Sequence, residues 1–235
     1  MSHAGDIATF VATRGITRVT HFTNSRNFPG ILQTGEILPT ATLIERGISH
    51  NITDPERYDG LLSHVCCNVE YPNAYYFSKA ARRPNHTNFS DWMLLLIDPS
   101  ILTAPGVLFA PANAAKFSGT TLADGVTGLS NQYAQSVNGY ARQPKHLLAC
   151  PTDVQAEVLV PNGIPLSLVR AIVVPSAAAV TREFSRLAVL GHDPYVFDWF
   201  QSEAMFQGPK VRNAVHGLVP LDLQGPFQPE DEVPE

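Results

Sequence analysis

At 235 residues, 44% hydrophobic and 16% charged, the chain suits one sizeable globular domain, or two small ones, with a true core. No apolar run reaches the ~18 residues of a membrane-crossing helix, which excludes a helical span. The net charge of −5 is unevenly placed: Asp222, Glu230, Asp231, Glu232 and Glu235 follow Arg212 with no Lys or Arg among them, so the body is near neutral and nucleic acid is not excluded as a partner.

Three cysteines, Cys66 and Cys67 adjacent, make a poor disulfide framework, and "MSHAGDIATFVATRG" lacks the basic and apolar parts of a secretory signal. Both point to a reducing cytoplasm. The eight histidines are scattered without zinc-ligand spacing, so no metal is expected. Neither common Gly-rich phosphate loop is present, and no serine sits in a nucleophile elbow. Basic clusters occur in "SKAARRPNH" (Lys79, Arg82, Arg83, His86) and "ARQPKH" (Arg142, Lys145, His146).

In chain order, "GITRVTHFT" (15–23) reads as a strand, with β-branched residues in alternation. "NSRNFPGILQTG" (24–35) reads as a helix, capped by Asn24 or Ser25, carrying Pro29 in its first turn and stopping at Gly35. "TDPERYDGLLSH" (53–64) shows a helix start, with Thr53 or Asp54 as cap before Pro55. "NAYYF" (73–77) reads as a short aromatic strand, "DWMLLLID" (91–98) as a strand buried on both faces, and "GVLFAP" (106–111) as another. A helix is expected within 129–137. "QAEVLV" and "VRAIVVP" (169–175) read as strands joined through an Asn-Gly turn, and 176–191 as a helix between Ser176 and Gly191. Beyond about Pro220 the Pro, Gln and acidic composition predicts disorder. Short strands and helices at irregular intervals predict an α+β fold.

Candidate chemistry starts at "TDVQAEVLVP" (152–161). Side chains on a strand alternate, which puts Val154, Ala156, Val158 and Val160 on an apolar face and Gln155, Glu157 and Leu159 on the other. That second face is either wet or a site. His21, Thr23 and Ser25 share a face of the first strand. Cys66 and Cys67 read as small core residues.

Three blocks, "VTHFTNSRNFPGILQTGEIL", "NAYYF" and "QAEVLVPNGIPLSLVRAIVV", occur in an order that resembles the DarT family of DNA ADP-ribosyltransferases. The resemblance implies an ADP-ribosyltransferase-like fold, a central split mixed sheet with flanking helices. It implies one catalytic domain over 1–220, and the composition makes 221–235 an acidic Pro-rich tail. It further implies that NAD is the co-substrate and that ADP-ribose passes to a guanine or thymine in single-stranded DNA. A protein or RNA acceptor, or an inactive NAD-binding module, is the alternative. By the same resemblance Glu157 is the catalytic carboxylate, with Gln155 positioning the acceptor. His21, Phe22 and Thr23 grip NAD through ring nitrogen, backbone and hydroxyl, and Gly30 and Leu38 lie along it. Tyr76, or Tyr75, stacks on nicotinamide. Arg57, or Arg46, assists the acceptor, although an arginine, always charged, is a poor literal base. Tyr71, Tyr75, Arg82 and Arg83 are the candidates for the DNA surface. A toxin role and a macrodomain-type antitoxin follow by resemblance.

Overall fold

The computed structural model describes residues 3–83 and 91–227. In chain order its elements are α1 (His3–Arg14), β1 (Val19–Asn24), α2 (Phe28–Thr34), β2 (Glu36–Ile37), α3 (Thr40–Glu45), β3 (His64–Val69), α4 (Ala74–Ala81), β4 (Trp92–Ile97), β5 (Leu108–Ala110), β6 (Ala123–Asp124), α5 (Gly125–Asn131), β7 (Ser136–Val137), β8 (Tyr140–Ala141), β9 (Glu157–Pro161), β10 (Ile164–Pro165), β11 (Val169–Val174), α6 (Ala177–Val189), β12 (Asp198–Gln201) and α7 (Gly208–Gly217). Eight strands form one sheet in the order β12-β11-β4-β1-β3-β9-β5-β6, antiparallel except for the β11–β12 pair. That pair is joined by α6, the kind of crossover a parallel pair requires.

Strand β4 shows why the sheet sits where it does. Its residues are apolar without interruption because both of its faces are covered. Met93, Leu95 and Ile97 enter one core layer with Ile7 of α1, Leu129 of α5 and Val180 and Leu187 of α6. Trp92, Leu94 and Leu96 enter the other with Ala74 and Ala80 of α4 and Val211 and Val215 of α7. Burying each large side chain of this kind contributes ~1.5–3 kcal/mol. The helices therefore flank both faces of an α+β sheet, as expected.

The functionally important irregularity lies beside β1. This strand pairs with β4 over six positions, Val19↔Ile97 to Asn24↔Trp92. With β3 it pairs only at Val19↔Val69 and Thr20↔Asn68. Beyond Thr20 the two strands part, and the sheet is split. On the far side of the split, α2 starts with Pro29 in its first turn and ends at Gly35, whose left-handed φ of 71° lets its N–H reach Ile31 O at 2.9 Å.

Several elements depart from the sequence expectations. "NAYYF" lies in helix α4, not a strand. The Asn73 side chain caps Tyr76 N–H, and Ala74, Phe77 and Ala80 recur at helical spacing against Trp92 and Phe206. No helix forms over 53–64: Arg57 adopts φ 34°, and Asp59 Oδ1 accepts from Leu61 N–H to make a turn. The helix expected within 129–137 lies earlier, as α5, and β7 begins at Ser136. Gln155 precedes β9 in a turn closed on Asp153 Oδ1, so it does not share a strand face with Glu157. The second face of β9 is not wet, because Leu159 is buried with Ala110 and Ala114. Residues 221–227, expected to be disordered, carry a bridge between Gln224 and Gln201. The rest of the tail, and His86 of the first basic cluster, lie outside the described residues. Among the described residues, no helix is long and apolar enough to cross a membrane.

Candidate active site

The parting of β1 and β3 opens a cleft that runs from β1 and α2 across the 48–59 segment to the start of β9. His21, Phe22, Thr23, Gly30, Leu38, Arg57, Tyr76 and Glu157 all line it. Residues that lie up to 136 positions apart in the sequence thus meet in one place.

On the β1 side, His21 bridges the split: its Nδ1 lies 2.8 Å from Cys66 O. A carbonyl can only accept, so Nδ1 carries the proton, and burial lowers the ring's pKa and keeps it neutral. Nε2 is then an acceptor. Thr23 Oγ1 accepts from Asn27 Nδ2 at 3.1 Å. Asn27 also exchanges two hydrogen bonds with the Asn51 backbone, which pins the 48–53 loop to the rim of the cleft. Gly30 belongs to α2, and a Cβ added there would meet nothing within 4 Å. Leu38 is buried just past β2.

Glu157 stands at the start of β9, paired with Ala110 of β5. Gln132 Nε2 fastens this junction by donating to Glu157 O at 2.8 Å and to Ala110 O at 3.1 Å. The buried carboxylate accepts at Oε1 from Asn113 Nδ2 (2.9 Å) and Asn73 Nδ2 (3.3 Å), and at Oε2 from Ala114 N–H (2.8 Å). Burial pushes its pKa up to about 7. The Ala114 and Asn73 donors oppose that rise, while the negative charges of Asp59 and Asp54 add to it. The glutamate therefore exchanges its proton near neutral pH.

Arg57 lines the cleft on the same side as Glu157, across from β1 and α2. Its Nε donates to both Asp59 carboxylate oxygens (3.1 and 3.2 Å), Nη1 to His64 O (3.2 Å) and Nη2 to Leu61 O. Every guanidinium nitrogen thus has a protein acceptor. Its pKa is raised: burial opposes the charge, but the neighbouring Cys66, Asp59 and Asp54 outweigh it. Tyr76, in the first turn of α4, accepts from Arg83 Nη2 at 3.3 Å. Burial and nearby Asp54 hold its phenol protonated. Arg83 also donates to Thr53 O and lies 3.8 Å from Asp54 and from Glu56, tying this loop to α4.

Other candidates lie elsewhere. Arg46 is exposed at the end of α3, outside the cleft. Tyr75 packs its ring on Gly208, where any Cβ would come within 2.9 Å of it. Tyr71 is buried and accepts from Leu221 N–H at 3.0 Å. Arg82 is exposed at the end of α4. Cys66 lines the cleft and Cys67 is in the core; burial raises both thiols, so neither is a ready nucleophile. Sequence reasoning missed Asn73, Asn113 and Asp54. The only signal for the first was its place before a helix, which the strand reading of "NAYYF" concealed. Among the described residues, no three His, Cys, Asp or Glu side chains are grouped to hold a metal.

Past Tyr76 the cleft continues into a second groove that shares Asp54, Asn113 and Ala115 with it. Glu56, Tyr58, Lys79, Lys116, Asn138 and Gln155 line the rest, with Lys79 3.7 Å from Glu56.

A buried glutamate on a strand thus lines the cleft at the split of a mixed sheet. Residues 20–202 match the family described as "ssDNA thymidine ADP-ribosyltransferase, DarT", and the chain belongs to that family. The fold is similar to that of Thermus sp. 2.9 DarT in complex with NAD+, at 17% identity and a TM-score of 0.55, covering 81% of this chain and 97% of that one. The same protein in complex with carba-NAD+ gives 16% identity, a TM-score of 0.53 and the same coverage. Thermosipho africanus DarTG in complex with ADP-ribose gives 15% and 0.53; 81% of this chain is covered, but only 51% of the longer DarTG chain. No curated protein sequence matches the chain.

Proposed function

We propose that this chain transfers ADP-ribose from NAD to a thymine base of single-stranded DNA, with Glu157 as its catalytic carboxylate. The observation that carries the reading is the placement of Glu157, buried, hydrogen-bonded and able to ionise near pH 7, on a rigid strand in the same cleft as His21, Thr23 and Tyr76. Breaking the bond between ribose and nicotinamide builds positive charge on the ribose. An aimed carboxylate in a low-dielectric site stabilises that charge and can accept the 2′-OH hydrogen bond. The nicotinamide leaves neutral with the bonding electron pair, the base nitrogen forms the new bond to the ribose, and the N–H proton of the base passes to solvent water.

His21 Nε2 accepts from a ribose or amide donor, Thr23 and the β1 backbone hold the nicotinamide end, and Gly30 leaves its side of the cleft open to the cofactor. Tyr76 stacks at the boundary between donor and acceptor. Arg57 acts through its charge and by shaping the 57–64 turn. The second groove takes the DNA, with Lys79 and Lys116 for phosphates and exposed Tyr58 for a base. Gln155 reaches the acceptor from there and not from the strand of Glu157. Acting on DNA, the enzyme works in the cytoplasm as a toxin, neutralised by a macrodomain antitoxin that removes the modification.

The test is labelling from radioactive NAD with oligonucleotides lacking one base each. Loss of label only in the thymine-free strand is the expected result. Loss only in the guanine-free strand would reassign the base. Label on RNA or protein with none on DNA would overturn the acceptor.

A further inference from the structure

The two asparagines on Glu157 share a feature that a casual hydrogen bond lacks. In Asn73, Oδ1 accepts from Tyr76 N–H at 3.0 Å to cap α4, which leaves only Nδ2 to face the carboxylate. In Asn113, Oδ1 accepts from Ala115 N–H at 3.1 Å, which again turns Nδ2 toward Glu157. Asn73 N–H is itself held by Asn68 Oδ1 (3.0 Å), and Asn68 Nδ2 donates to Ala156 O (2.8 Å), the residue before Glu157. Neither amide can flip without breaking a backbone hydrogen bond.

We propose that Asn73 and Asn113 are positioning residues of the transfer reaction, which keep the Glu157 carboxylate aimed into the cleft and ionised through amides locked in the donating orientation. The inference rests on the catalytic reading of Glu157. Three donors occupy about three of a carboxylate's four lone-pair sites, so one stays open for a substrate hydroxyl. Asn73 also caps the turn that carries Tyr76, so a single residue sets the separation of the carboxylate and the aromatic ring. The donors act against an environment that favours the neutral acid. Asp54 and Asp59 of the 53–63 segment and Cys66 of β3 line the same cleft as Glu157, with Arg57 and His21 on its walls, and Cys67 of β3 pairs with Val158, the residue after Glu157.

Asn113→Asp is the informative variant. Its Oδ1 can still accept from Ala115 N–H, so the turn survives, but an oxygen replaces the donor nitrogen against Glu157. The measurement is the pH dependence of nicotinamide release from NAD, beside a carbon-13 titration of the Glu157 carboxyl assigned by its loss in Glu157→Gln. Asn113→Asp should raise the carboxyl midpoint and the acidic limb of kcat/KM together, by about 1–3 pH units, with the rate recovering at high pH. Asn113→Ala and Asn73→Ala should do the same to a smaller extent, and they decide the matter if the aspartate variant does not fold. An unmoved carboxyl midpoint, or a rate lowered equally at every pH, would overturn the proposal. Absence of nicotinamide release from the wild-type protein would refute the catalytic reading alone, since the carboxyl midpoints still report whether the asparagines govern ionisation.

Discussion

The two walls of the cleft are built in opposite ways. The β1–α2 wall comes from one continuous stretch, residues 21–38, and leaves capacity unused: His21 presents an acceptor nitrogen, and Gly30 faces open space. The opposite wall is gathered from the 53–64 turn, the start of α4, the 113–114 loop and β9, and its polar groups are bonded to one another. Arg57 spends its nitrogens on Asp59, Leu61 and His64, and Glu157 takes three protein donors. The first wall is shaped to receive a ligand. The second is shaped to hold charged groups still, which is what an electrostatic catalyst requires.

Removing a group from each wall should therefore have different consequences. Arg57→Ala leaves Asp59, whose side chain is only 5% exposed, buried beside an empty place. Breaking such a pair costs about 3–5 kcal/mol, so urea unfolding should show a large loss of stability. Unchanged stability together with lost DNA transfer would make Arg57 a catalytic rather than an architectural residue. Gly30→Ala should act the other way and more weakly. Alanine in a helix is favoured over glycine by ~0.5–1 kcal/mol, and the added methyl meets no protein atom. The fold should gain slightly while KM for NAD rises roughly 3- to 10-fold, or about 1 kcal/mol. A gain in stability with KM unchanged would show that the cofactor does not run past Gly30.

The same contrast explains what could be read in the sequence. The β1–α2 block was legible because strand alternation, Pro29 in the first turn and the stop at Gly35 are local signals. The pattern of β4 and the Ser176-capped α6 were legible for the same reason. Glu157 stood out as a charge in an apolar strand. What surrounds it did not. Asn73 and Asn113 lie 84 and 44 positions away, and nothing near either hints at a partner that distant. "NAYYF" misled because aromatic residues suit both strands and buried helix faces, and the deciding term was one side-chain cap. Gln155 misled because strand alternation was extended two residues beyond the point where Asp153 turns the chain.

The most direct test of the account compares wild-type protein with Glu157→Gln in transfer of labelled ADP-ribose from NAD to single-stranded DNA. Both proteins should be folded and should bind NAD, and the wild type should gain activity as pH rises through about 7, where Glu157 ionises. Transfer by Glu157→Gln should fall by at least ~10²–10³-fold, the loss typical of removing one aimed electrostatic group. Transfer retained within tenfold of the wild type would contradict the central claim and move the chemistry away from the split in the sheet.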